Sequence, residues 1–143
     1  MELEIKHLAC YLPYGLKMNY EIHNPELIGI YGDYTIYLKY NDGRIKDQDI
    51  SNYKPLLYPL EYLTKEIEVN GEKFVPYDYF LNDTENDWFE GNIWMGYLFE
   101  GNIDKLEIGF IPYYVIQKLA EWHIDFQGLI EAGLAIDKTT LKN

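Results

Sequence analysis

Apolar residues recur at helical spacing most persistently between Ile111 and Ile136. Val115, Leu119, Trp122 and Phe126 follow i, i+4, i+7 and i+11, and Ile116, Leu119, Ala120 and His123 make a neighbouring stripe. Pro112 suits the first turn of such a helix, where a missing N–H costs nothing. Lys118, Glu121 and Asp125 fall on the opposite face, which the pattern predicts to be wet. Asp125 is also placed to cap a second short helix from Phe126 to Ala132. Gly133 then stands where a left-handed residue ends a helix, with Leu134 folding back on Leu129. Two helices joined this tightly form a corner that needs a surface to pack on.

The preceding chain supplies strands for that surface. Ile5, Leu8, Ala9 and Leu12 predict one face of a short N-terminal helix stopped by Pro13 and Gly15. Leu16, Met18, Tyr20 and Ile22 alternate with polar residues, the period of a half-buried strand. Asn24-Pro25 breaks it, and Leu27 to Tyr31 reads as a second strand. Gly32-Asp33 suits a two-residue turn into a third, Tyr34 to Tyr40, with Tyr34, Ile36, Leu38 and Tyr40 on one face. Asp42-Gly43 turns into a fourth, Arg44 to Gln48. Turns this short between consecutive strands mean an antiparallel meander. The segment from Tyr53 to Leu60 carries two prolines and reads as neither helix nor central strand. Leu60 to Lys65 predicts a short helical piece, Ile67 to Val75 a hairpin with Asn70-Gly71 at its tip, and Pro76 to Leu81 one helical turn. Asn82 to Asn92 reads as an acidic loop. The run Phe89–Ile93 recurs as Phe99–Ile103, a spacing too short for a solenoid repeat. The expectation is one α+β domain, residues 1–143: a small antiparallel β-meander packed against a C-terminal helical corner.

Composition narrows the partners. The chain has 24 acids against 12 bases, a net charge of −12, and Arg44 is its sole arginine. Arginine is the usual reader of phosphates and base edges, so this balance argues against direct nucleic-acid binding. No apolar run approaches the roughly 18 residues of a membrane span. The N-terminal sequence lacks a basic region followed by an apolar core, so neither a signal peptide nor a membrane partner is expected. Cys10 is the only cysteine, which excludes an intrachain disulfide and fits a reducing cytoplasm. Fifteen tyrosines are many for 143 residues, and they suit half-buried sheets and contact surfaces alike.

Candidate chemistry is sparse. His123 beside Glu121 and Asp125 could be a general base, but on one continuous helix the two acids point away from it, which favours a core-edge histidine bonded to a backbone carbonyl. Asp83, Glu85 and Asp87 have the opening spacing of a calcium loop, yet its sixth and twelfth places hold Trp88 and Trp94 instead of Gly and Glu. His7 and Cys10 share a helical face but are too few to hold zinc. Cys10 has no base to activate it. Glu4-Ile5-Lys6 matches part of a nuclease motif without the upstream acid. No catalytic residue, metal or cofactor is assigned, and the reading leans away from an enzyme. The strongest contact candidate is the acidic window, where Asp83, Glu85, Asp87 and Glu90 stand beside Trp88 and Trp94 without a base among them. Such a loop would suit a positively charged partner whose association slows as salt rises.

Three stretches resemble a family: Tyr11–Lys17, Pro55 through Leu63 to Pro76, and Glu121–Asp137. Together, YLPYGLK, PLLYPL with LTKEIEVNGEKFVP, and EWHIDFQGLIEAGLAID resemble short proteins encoded by phages, prophages and related mobile elements of Bacteroidota. The segment from Asn82 to Ile108 does not follow that pattern. The resemblance implies a phage setting in a host cytoplasm and transfers no site residue. The expected function is therefore a small phage-encoded accessory binding protein acting on a host, phage or defence component, protein or small molecule, with room for a homo-oligomer. An acidic decoy imitating nucleic acid and a hydrolase acting on a nucleotide-type small molecule are the alternatives.

Overall fold

The computed structural model describes residues 2–81 and 113–140. The acidic window, the aromatics from Trp88 to Phe99 and the internal echo lie outside the described residues.

Helix α1, Ile5–Leu8, continues as a 3₁₀ turn, Ala9–Tyr14, and Gly15 ends the run at φ +69°. The tighter winding aligns residues three apart. Leu8 and Tyr11 are consequently fully buried, while Ala9, expected on the inner face, is exposed and Ile5 and Leu12 are half-buried.

The meander is antiparallel: β2 (Glu26–Tyr31), β3 (Thr35–Lys39) and β4 (Ile45–Asp49) lie in that order. Its first turn takes three residues, 32–34, rather than two, because Tyr31 pairs with Thr35. Ile36 and Leu38 point into the core as the alternation requires, but Tyr34 belongs to the turn and is 67% exposed. At the bulge between Leu27 and Gly29 the two strands keep register by leaving Ile28 unpaired. Gly29 lies under the Tyr37 ring, which an added Cβ would meet at 3.3 Å.

The segment expected as strand one is mostly irregular. Only Met18–Asn19 (β1) forms a strand, and it pairs with Pro55 and Lys54 on one edge. On the other, Lys17 bridges Glu26 and the Leu16 carbonyl takes the Leu27 N–H, which ties the segment to the start of β2. The proline-containing segment is the larger correction. Lys54–Leu57 (β5) is the middle strand of a second sheet, antiparallel to β1 on one edge and parallel to Ile136–Asp137 (β8) on the other. Pro55 is tolerated there by its position. The Leu56 N–H points to the Lys17 carbonyl on the β1 edge, so alternation turns the Pro55 nitrogen to the β8 edge. Pairing with β8 starts only at Leu56, so no ladder bond is lost. Beyond β1 the Tyr58 N–H and carbonyl are taken up by the His123 carbonyl and the Asp125 N–H.

Leu60–Thr64 is a 3₁₀ turn. β6 (Ile67–Val69) and β7 (Glu72–Phe74) form the expected hairpin, with Asn70 and Gly71 both at positive φ, as a type I′ turn demands. Helix α2, Pro76–Leu81, follows.

Helix α3, Tyr113–Glu121, buries Val115, Leu119 and Ala120, and Trp122 and Phe126 beyond its end are buried too. It does not run on into Asp125. His123 adopts φ +58°, its N–H bonds the Ala120 carbonyl, and the Ile124 N–H bonds the Leu119 carbonyl at 2.9 Å. This is a Schellman ending with histidine in the place usually held by glycine. The stretch after it forms turns rather than the expected second helix, and it closes with the same device. Gly133 at φ +79° bonds Ile130, and Leu134 bonds Leu129 at 2.8 Å. Asp125 does cap this turn, but from inside: it is 5% exposed, not on a wet face.

Helix α3 lies against the Ala9–Tyr14 turn, which also touches β2. Meander and corner thus share one core through the N-terminal turn, and the fold is α+β. Among the described residues no helix is long and apolar enough to cross a membrane.

Candidate functional site

The meander's inner face changes character at β4. Cross-strand partners share a face, and Leu38 and Ile36 pair with Lys46 and Gln48. Where the core should continue, the strand therefore offers an ammonium and an amide. Tyr40 continues the inward face of β3. Opposite stands a tight hairpin, in which Tyr20 and His23 exchange both backbone bonds around Glu21-Ile22. Glu21 is held at φ +56°, and the Asn19 amide braces the loop by bonding the Glu21 carbonyl and the Asn24 side chain. The period-2 alternation expects Ile22 to be buried, yet it is 87% exposed at this tip.

Between the two tips runs a groove of about 570 Å³, which Gln48, Asn52 and Tyr53 also line. Its wall is aromatic. The Tyr20 and Tyr53 rings lie 5.2 Å apart, the Tyr40 and Tyr53 hydroxyls bond at 3.0 Å, and His23 meets Tyr40 edge-on at 6.3 Å. Burial, with the Tyr40 bond, pushes the Tyr53 hydroxyl well above the usual phenol range, so it stays neutral and can donate. Lys46 lies over the Tyr40 ring at 5.8 Å. Arg44 is bonded by Asp42, which accepts from both its backbone N–H and its guanidinium Nε. Those bonds hold the Asp42 carboxyl below its ordinary pKa and fix one edge of the guanidinium. The groove thus combines a ring-lined wall, two cations and several side-chain amides, which is equipment for recognition.

Comparison of the chain with models of protein families, with curated proteins and with solved structures finds no match, so the site is read from its own chemistry.

Asp83, Glu85, Asp87, Trp88, Glu90 and Trp94 lie outside the described residues. His123 is at the core edge, its Nε2 2.7 Å from the Tyr14 carbonyl. A carbonyl only accepts, so Nε2 carries the proton. His7 receives the Glu4 N–H at Nδ1, and among the described residues no cluster of metal-ligating groups occurs. Burial pushes the Cys10 thiol up to about 11, which leaves it protonated and unreactive at neutral pH. Glu4 and Lys6 form an exposed ion pair at 3.1 Å. Local sequence pattern does not point to the groove residues, although β4 carries a signal: Arg44 to Asp49 has a polar residue at nearly every position, on both faces of a strand whose partner is apolar on one.

His123 makes stability depend on pH. Burial lowers its pKa from the ordinary 6.5 to about 4, so between those values the unfolded chain binds a proton that the folded chain refuses. Stability then rises with pH, is fully present above 6.5 and is lost as pH falls toward 4. The separation corresponds to about 3 kcal/mol. Urea midpoints measured between these pH values should fall more steeply for the natural protein than for His123→Asn, since asparagine accepts the left-handed backbone but does not titrate. Parallel slopes would show that His123 is not the acid-sensitive group.

Proposed function

We propose that the protein is a small accessory binding protein of a Bacteroidota phage or prophage, acting on a host, phage or defence component, and that its ligand sits in the groove between the Tyr20–His23 and Tyr40–Arg44 hairpins. One observation carries this reading: β4 abandons the apolar pattern of its inner face and lines a concave, ring-walled groove with Lys46 and Gln48. A strand forgoes burial of this kind at a cost in stability, and such departures concentrate where a surface serves recognition. The resemblance in the first, middle and last stretches of the chain supports the phage setting.

The test is affinity capture from phage-infected host lysate, with protein and small-molecule eluates both analysed by mass spectrometry. The Arg44→Ala/Lys46→Ala variant is run beside the natural protein. A component retained by the natural protein and lost by the variant is expected. Equal retention would remove the groove from the reading.

A second reading, a hydrolase acting on a nucleotide-type small molecule, draws on His23 and Asp42 lining one groove. Against it, the Asp42 carboxylate is already committed to Arg44. Turnover of the captured small molecule on incubation with the protein would decide for it.

A further inference from the structure

We infer that the groove selects a small planar-ringed phosphate ester, of the mononucleotide class. The inference rests on the groove being the ligand seat. Three independent features of the lining converge on this chemistry.

The first is charge. A chain of net charge −12 places its one arginine and Lys46 at this groove, where Asp42 is the acid among the described lining residues. Asp42 occupies only the Nε edge of the guanidinium, and the Arg44 side chain is 63% exposed, so its outer N–H groups face solvent. Lys46 has no carboxylate within ion-pair distance among the described residues. A planar fork and a point charge lining the same groove match a phosphate, which the fork grips through two oxygens.

The second is the ring wall. Tyr20 is 42% exposed with its inner side on Tyr53, and Ile22 stands beyond it at the lip. A flat ring laid there would cover apolar surface that now faces water, and stacking of this kind tolerates any base. The third is amide chemistry. The Asn41, Gln48 and Asn52 side chains each offer both donors and an acceptor, and none is engaged by a hydrogen bond among the described residues. A heteroaromatic ring edge, with its own mixture of donors and acceptors, is the complement. A polymer fits less well, because two cations cannot offset the repulsion between a phosphate backbone and the rest of this acidic surface.

The experiment is calorimetric and NMR titration of the full chain with four probes in turn: adenosine 5′-monophosphate, adenosine, inorganic phosphate and a short single-stranded oligonucleotide. The other three common ribonucleoside 5′-monophosphates follow. The expected result is saturable binding of at least one monophosphate, about tenfold or more tighter than its nucleoside and than phosphate. Amide shifts should be confined to Tyr20–His23, Tyr40–Lys46 and Asn52–Tyr53. Arg44→Ala/Lys46→Ala should remove the advantage of monophosphate over nucleoside at unchanged melting temperature, since both side chains are exposed. Tyr20→Ala should weaken nucleoside and monophosphate alike and leave phosphate binding unaltered.

Absence of saturable binding by every monophosphate overturns the inference, as does phosphate binding as tightly as the monophosphate, or the oligonucleotide binding tighter than either. The lysate capture separates this failure from failure of the groove itself. A component lost by the Arg44→Ala/Lys46→Ala variant would keep the groove as the seat while the mononucleotide assignment falls.

Discussion

Replacing Trp122 with alanine is expected to cost about 3–5 kcal/mol, the range for emptying a large aromatic from a core. Trp122 is 5% exposed although it stands one residue past the end of α3. Its ring meets Phe74 edge-on at 5.0 Å and Tyr79 at 4.9 Å, so it ties the C-terminal corner to β7 and α2, which are distant in sequence. Edge-to-face pairs add to the area term. The cavity cannot collapse easily, because the Schellman ending at His123 fixes the backbone on its C-terminal side. Urea denaturation of Trp122→Ala against Gln117→Ala, an exposed position on the same helix, checks this. A destabilisation no greater than that of Gln117→Ala would mean that the tryptophan does not bridge these elements.

What was legible in the sequence was what local periodicity encodes. The alternation through Ile36 and Leu38 set the inner face of β3, Asn70-Gly71 set a hairpin, and the spacing of Val115, Leu119, Trp122 and Phe126 picked residues that are all buried. What was not legible depends on partners far along the chain. Pro55 reads locally as a strand breaker; only the offset between β1 and β8 makes its missing N–H harmless. Met18–Asn19 reads as the start of the meander, and the hairpin at Glu21-Ile22 does fold the chain back so that Met18 bonds Pro25 and Leu16 bonds Leu27, but nothing local announces that its other edge pairs with β5. His123 reads as a continuing helix position because the left-handed terminus is usually announced by glycine, and here the Tyr14 carbonyl holds the residue instead. The groove is a case between these. Its hairpin tips sit in segments the pattern marks, but Tyr20 and His23 come from one hairpin, Tyr40, Arg44 and Gln48 from the β3–β4 pair, and Asn52 and Tyr53 from the chain after β4, so the groove exists only once these segments fold together. The acidic window, singled out from its charge alone, lies outside the described residues.

Asp125→Ala is expected to be comparably severe, about 3–5 kcal/mol, through polar satisfaction rather than volume. The carboxylate accepts the Leu129 N–H at 2.9 Å through Oδ1 and the Ile130 N–H at 2.8 Å through Oδ2. Those two donors open the turn that the Gly133 Schellman motif closes, and that turn delivers the chain to β8 beside β5. Asp125 is 5% exposed and Leu129 is 2% exposed, so water does not readily replace the lost acceptor. Bonds to a charged acceptor contribute about 1.5–3 kcal/mol each, and a donor left buried without one carries its full desolvation cost. Asp125→Asn is the informative partner, because its single amide oxygen can serve one N–H and not both. It should fall about midway between the natural protein and the alanine variant. Hydrogen exchange should then show one of the Leu129 and Ile130 amides losing protection while the meander amides keep theirs. If Asp125→Ala costs under about 1 kcal/mol, in the range of an ordinary surface change, then the turn is held by its apolar contacts and by Gly133, and the carboxylate is not its fastening. If the asparagine variant is as unstable as alanine, the negative charge, rather than the second acceptor, is what the two N–H groups require.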